Sequence, residues 1–392
     1  MTTVDSLLKD RDPEELLQEA EKLCLQEPSR AIEIAEYVES LLEGAETEGF
    51  FLRSLLIQGR SWYKLGRCDE AKENFTAALP WARQRDDPLS TGTSLYFLGL
   101  IALRDGEIPS ALEWLFQARE CQSASGDRHG EANTLCSIGA AYGTAGRYRE
   151  AGEVFAEAIP LARLLEDRSA ELSALGGAAT LLESSGDLVQ ARTRYEEILA
   201  LAIAHRLDAF VPQANSSLCR LLSELGETEK ALGYGRESLR FAERRGNIFQ
   251  RIGARKALAL VFRKRGELEE AERCLHEAMT LAAGEQFVGT WTICLHELGR
   301  IAALRHDVLL ARSYFEAALQ QATDEGSVSD QALQHRALAD LCEQEGDLPA
   351  AIRHLRALVQ AEEVVQRQSA RGEFMAAMAR LEWEKSQKED AL

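Results

Sequence analysis

Small and bulky apolar residues recur along the chain with a period of forty positions, and that spacing predicts its elements. Alanine occupies Ala71, Ala111, Ala151, Ala191, Ala231, Ala271, Ala311 and Ala351 without exception. Ahead of each stands another small residue, in turn Gly59, Gly99, Gly139, Ala179, Cys219, Ala259, Gly299 and Ala339. Behind each comes a bulky one, Phe75, Leu115, Phe155, Tyr195, Leu275, Phe315 and Leu355, with Gly235 the exception. Small, small, large is a packing pattern for two helices that cross closely. A methyl group fits the crossing, and a larger side chain overpacks it by roughly 1–3 kcal/mol.

Between the two small positions the pattern predicts a turn. Gly66, Gly106, Gly146, Gly186, Gly226, Gly266 and Gly346 fill it, and His306 takes the one remaining slot. The stretch RIAALRHDVLLARSYFEAAL, residues 300–319, shows the plan: two helical runs hinged at Arg305-His306-Asp307. Such a hinge needs positive φ, which glycine adopts freely and which Asn, Asp and His enter more often than other residues. His306 is therefore read as a hinge. A metal or pH role beside His296 is the other reading, and it lacks a third ligand at suitable spacing. Asp87, Asp127, Asp167 and Asn247 share one phase at the far end of the helix pair, and are residue types that cap the helix to follow.

The register runs past the obvious glycines. Ala31 and Ala35 take the phases of Ala71 and Phe75, so residues 1–50 read as a degenerate N-terminal repeat or cap, with its first helix over residues 13–25. Residues 51–366 hold eight 40-residue repeats. Met375, Met378 and Ala379 carry the first-helix phase into a helix over 367–392, where Phe374, Met378 and Leu381 form a short apolar stripe. That stripe either caps the array or pairs with another helix in a dimer.

A fixed period turns a length of 392 residues into one long repeat array instead of two or three globular domains. Charged residues make up 28% of the chain and only 8 prolines interrupt it, which suits a mostly helical soluble protein. The first residues contain no basic segment followed by an apolar run, and nowhere do 18 apolar residues run together, so a cytoplasmic location is expected. The 8 cysteines lie far apart with no CxxC pair, which fits small buried thiols. A net charge of −19 argues against nucleic acid and anionic membrane as partners.

In TLCSIGAAYGTAGRYREAGEVFAEAIPLA, the residues Leu135, Gly139, Tyr142, Gly146, Tyr148, Ala151, Phe155, Ala158 and Pro160 follow the tetratricopeptide repeat (TPR) pattern. The chain resembles that family, and its 40-residue unit resembles the longer-helix subgroup of kinesin light chain and Rap-type bacterial regulators. The resemblance implies an all-α, right-handed superhelical solenoid of about nine TPR-like helix pairs plus a C-terminal helix. It further implies that the first helix of each pair lines a concave groove. Residues 1–50 look too short for the additional N-terminal bundle of Rap-type regulators.

Five positions per first helix point away from the core stripe at about 100° per residue. Read over the eight repeats, they give Arg53, Arg60, Lys64, Arg104, Arg220, Lys256, Arg263, Lys264, Arg300 and Arg336 against Glu183, Glu224, Asp340 and Glu343. Tyr63 and Tyr96 share the face, and Asn133, Cys136, Gly143, Thr144, Gly176, Thr180 and Ser184 form a small polar middle. The residue types suit an extended acidic peptide or partner segment held by cations at its ends and hydrogen-bonded between them. The alternative is that these charges only solvate a helix face.

No phosphate-binding loop, nucleophile elbow, HExxH or zinc spacing occurs, so neither a cofactor nor an enzymatic activity is expected. The reading is a protein-interaction adaptor. The alternative is a regulatory or sensory subunit of a bacterial signalling system acting through its C-terminal helix, because residues 358–392 resemble the linker by which bacterial TPR arrays join output domains.

Overall fold

A computed structural model describes residues 11–24, 26–41, 48–245, 247–283 and 289–365. Among them every regular element is a helix. In the first of two compact units, which runs to Ala174, these are α1 (Pro13–Leu23), α2 (Pro28–Ser40), α3 (Glu48–Lys64), α4 (Cys68–Gln84), α5 (Pro88–Arg104), α6 (Ile108–Ser125), α7 (Arg128–Thr144) and α8 (Tyr148–Leu164). Helix α9 (Arg168–Ser184) contains the boundary residue Leu175. The second unit continues with α10 (Leu188–Ala204), α11 (Val211–Glu224), α12 (Thr228–Arg245), α13 (Ile248–Arg265), α14 (Leu268–Ala282), α15 (Thr290–Leu304), α16 (Val308–Asp324), α17 (Val328–Glu345) and α18 over residues 348–365. Odd-numbered helices are the first members of the pairs and even-numbered ones the second. Helices α1 and α2 make the expected degenerate first pair, with Leu16, Leu17, Ala31 and Ala35 in one buried cluster. The stripe expected over 367–392 lies outside the described residues.

The periodic apolar positions meet as the spacing requires. A Cβ built on Gly59 would lie 2.9 Å from the Phe75 ring, on Gly99 2.7 Å from Leu115, on Gly139 2.6 Å from Phe155 and on Gly299 2.6 Å from Phe315. Each bulky side chain thus occupies the space that a glycine leaves on its partner helix. In the one repeat where the first helix carries the larger Cys219, the second carries Gly235, whose Cβ would lie 2.8 Å from the Cys219 sulfur. The exception at Gly235 is therefore the same contact with the sizes exchanged. Leu355 departs from the pattern at 48% exposure. A filler such as Phe75 is covered partly by the next first helix, stacking on Phe97 at 4.8 Å, and no such helix follows Leu355 among the described residues.

The hinge prediction holds at every slot. The glycines from Gly66 to Gly346 have φ between 74° and 83°, and His306 has φ 60°. The following residue donates its N–H five positions back, as from Arg67 to the Trp62 carbonyl (2.9 Å) and from Asp307 to the Ala302 carbonyl (3.0 Å). This closes the helix end in the manner of a Schellman motif. Asp87, Asp127, Asp167 and Asn247 all accept from a backbone N–H at the next helix start, at 3.1, 2.9, 3.0 and 2.9 Å. A second set of left-handed hinges joins one pair to the next, at Asp86, Gly126, Glu166, Arg206 and Gly326. All eight cysteines are free thiols, five of them buried.

Candidate functional site

The residues expected on the first-helix face divide between the two units. In the first, Tyr63 and Tyr96 come together through Phe97, whose ring meets each edge-on at 5.3 Å, and the charge of Arg104 acts on Tyr63. Burial pushes the Tyr96 phenol up to about 12, with Ser137 as its hydrogen-bond partner, so this hydroxyl stays protonated and acts as a neutral hydrogen-bonding group. Arg104 donates to the Cys68 sulfur at 2.7 Å and to the Gly66 carbonyl at 3.3 Å, which ties it to the preceding hinge. Arg53 is held by Glu14 (2.6 Å) and Glu21 (3.0 Å) of α1. Arg60 is half-buried and Lys64 exposed. Asn133 and Thr144 each donate to the carbonyl four residues back, at 3.0 Å, as do Thr180 and Ser184 in the second unit. Those side chains are satisfied by their own helices and keep acceptor capacity for a ligand.

The second unit builds two clefts on α11, α13, α15 and α17. One, of about 440 Å³, is lined by Arg220, Lys256, Ser216, Phe249, Ile293 and Glu297 among others. The other, of about 470 Å³, is lined by Arg263, Arg300, Arg336, His296, Phe315 and Asp340 among others. Glu297 links them, because Arg263 donates to it at 2.8 Å and Arg300 pairs with it at 3.1 Å. Arg263 is almost enclosed, at 9% side-chain exposure, whereas Arg300 (45%) and Arg336 (59%) reach the surface. Burial holds the Lys256 pKa below its ordinary value, because the cleft disfavours the charged ammonium, and a carboxylate placed beside it would oppose that shift.

Counting charges by helix phase found Glu183 but missed the other partners. Arg220 pairs with Glu183, Arg336 with Glu362 at 2.7 Å, and Lys264 donates to the Ser223 carbonyl at 2.9 Å. Glu14, Glu21, Glu297 and Glu362 lie outside the five phases taken as ligand-facing, so part of the apparent basic surplus is neutralised within the protein. Along the two clefts, the guanidiniums of Arg300 and Arg336 reach the rim although each meets a glutamate, and Lys256 lies deeper in; in the first unit Lys64 is exposed.

A family model for the MalT-like TPR region matches residues 122–392, more than half of the chain. The chain belongs to the MalT-like TPR family. Helix pairs with one closely packed crossing per repeat are what this membership entails, and both units have them. Among solved structures, a Rap protein complexed with Competence and Sporulation Factor superposes with a TM-score of 0.68 at 16% identity, covering 91% of this chain and 99% of that one. The apo quorum sensor NprR from B. thuringiensis gives 0.66 at 15% identity, covering 92% and 99%. NprR in complex with its cognate peptide NprX gives 0.62 at 15% identity, covering 91% and 99%. At such identities the likeness establishes the fold that this TPR protein shares with them. No curated protein matches the sequence.

Proposed function

We propose that this TPR protein is an adaptor that binds an extended, acidic peptide or partner segment along the first-helix face of residues 211–340. The observation that carries the reading is the pair of clefts on α11, α13, α15 and α17. They combine apolar walls (Phe249, Ile293, Phe315) with a half-buried ammonium at Lys256 and two accessible guanidiniums at Arg300 and Arg336. Apolar pockets beside fixed cations suit alternating apolar and carboxylate side chains of a segment lying across the helices. The fold shared with a Rap protein solved with Competence and Sporulation Factor, and with NprR solved with its cognate peptide NprX, supports the same class of ligand here. The protein acts by binding without turnover, in the cytoplasm, and nucleic acid and membrane are not its partners. Among the described residues no helix is long and apolar enough to cross a membrane.

Selection of a random peptide library on the purified protein, followed by fluorescence anisotropy with the enriched sequences, tests the proposal. Enriched peptides are expected to carry Asp or Glu, and the double reversal R300E/R336E is expected to weaken them about 100-fold or more, with circular dichroism unchanged. Enrichment of basic or neutral peptides, or equal affinity for the double variant, overturns it.

A further inference from the structure

The bulky phase of the second helices is buried in every repeat before α18. Phe75, Leu115, Phe155, Tyr195, Leu275 and Phe315 are at most 5% exposed, whereas Leu355 of α18 is 48% exposed. Ile352 (49%) and Val359 (54%) lie open on the same helix, although Leu112 and Leu232 at the phase of the first, and Leu79 and Met279 at the phase of the second, are buried. With Leu348 (59%) these residues stand four, three and four positions apart, which aligns them on one face. In earlier repeats the first helix of the next pair covers that face. Phe75 of α4 stacks on Phe97 of α5, and a Cβ on Gly235 of α12 would lie 2.6 Å from Leu258 of α13. A contiguous apolar stripe open to water calls for a partner.

The segment that follows α18 in the chain carries the buried pattern of a first helix. Residues 366–373, QRQSARGE, are polar or small and interrupt the apolar spacing. Beyond them Met375, Met378, Ala379 and Leu381 take the phases of Leu95, Leu98, Gly99 and Ile101 in α5 and of Leu135, Ile138, Gly139 and Ala141 in α7, all eight of which are buried. Arg380, set among them, takes the phase of Ala140, Thr180, Arg300 and Asp340, which are all exposed. Apolar residues at the covered phases and a charge at the open one are what a first helix with one buried face requires. The match of the family model also runs through this segment, to residue 392. In the register of Pro88–Arg104 and Arg128–Thr144 the helix spans residues 368–384, and Met378 falls opposite Leu355 as Leu258 does opposite Gly235. Docking within one chain covers both apolar stripes at once across a short connection, whose high effective concentration favours it over a second copy.

We infer that residues 368–384 dock on Leu348, Ile352, Leu355 and Val359 of α18 in the same chain, as the first helix of a further pair. The segment then belongs to the repeat array, and α18 offers no surface to a second copy. Hydrogen exchange of the full chain, read by mass spectrometry and accompanied by sedimentation velocity, tests this on the wild type and two single variants. In the wild type, protection is expected in α18 and in residues 368–384. M378D puts a charge at a covered phase and is expected to lower protection about tenfold or more in both segments, with α7 and α8 unchanged as proof that the array is folded. R380D, at the open phase, is expected to leave protection as it is. Both variants are expected to keep the oligomeric state of the wild type, because the contact lies within one chain. Residues 368–384 unprotected in the wild type, M378D without effect, or R380D with the same effect as M378D overturns the inference. So does a dimer that M378D dissociates, because the occupant of the face is then a second copy.

Discussion

His335 sits in a helical phase that holds Leu55, Leu95, Leu135, Leu175 and Leu295 in five repeats and Asn215 and Arg255 in two others, and the exchange places a titratable ring there. Its Nδ1 lies 3.2 Å from Nδ1 of His354 on α18, so one ring donates and the other accepts, which requires that at least one of the two rings be neutral. Burial pushes both imidazoles below the ordinary value of 6.5; His354 adds to this at His335, and Arg353 and Arg312 add to it at His354 against the opposing pull of Glu316. Below about pH 6.5 the unfolded chain takes up protons that the folded pair resists, so the unfolded state binds more protons and stability falls as the pH falls. The contribution is complete above the unfolded value and is lost as the pH drops through it toward the depressed folded values. The thermal midpoint is therefore expected to decline between about pH 7 and pH 5, and H335L, which restores the leucine type of this phase, is expected to flatten that slope. An equal slope in H335L would place the titration elsewhere. His306, the histidine that stands out in the sequence, serves as a hinge with φ 60° and its N–H donating to the Ala303 carbonyl at 3.0 Å.

Between elements, the crossing of α11 and α12 offers a test of how far packing depends on size pairing and how little on residue identity. Cys219 and Gly235 reverse the sizes used at Gly139 and Phe155. G235F alone forces a ring onto the Cys219 sulfur and the Leu258 methyls, and is expected to cost about 1–3 kcal/mol. C219G alone leaves a void and destabilises by a smaller amount. The double variant C219G/G235F rebuilds the arrangement of the other repeats, so urea unfolding is expected to show a favourable coupling of about 1 kcal/mol or more, whereas simple additivity would show that the two positions are independent. The small-against-large contact of the other repeats was legible in the sequence because the sizes recur in a fixed register, and so were the hinges, because glycine marks them, whereas the exchange at Cys219 and Gly235 read only as an exception. The second hinge set was not, because Asp86, Glu166 and Arg206 adopt positive φ there without being glycine. The site was legible only in part. Helix phase identifies which side chains share a face, but Arg263 and Arg53 are neutralised by carboxylates from other helices and other phases, and only coordinates reveal such pairs.

For the whole molecule, the reach of the contacts governs how it unfolds. Ion pairs step about one repeat along the chain, as in Arg263–Glu297 and Arg305–Glu272, and the hydrogen bonds from Gln250 to Ala209 and from Lys264 to Ser223 span 41 residues. A chain whose elements touch only neighbours has a stability close to a sum of repeat and interface contributions, so a local defect is not shared evenly. G139L places a branched side chain where even a Cβ would approach Phe155 to 2.6 Å, which pries α7 from α8. Native-state hydrogen exchange of this variant is expected to show protection falling about tenfold or more in α7 and α8, less in α5 and α6, and not at all in α15 to α17. Uniform loss across all helices would mean that the array opens as one cooperative block. Gradation has a functional consequence: the clefts on α11, α13, α15 and α17 then keep their geometry when distant repeats are altered, and the ligand preference of the face can change one repeat at a time while the buried glycine and aromatic partners stay fixed.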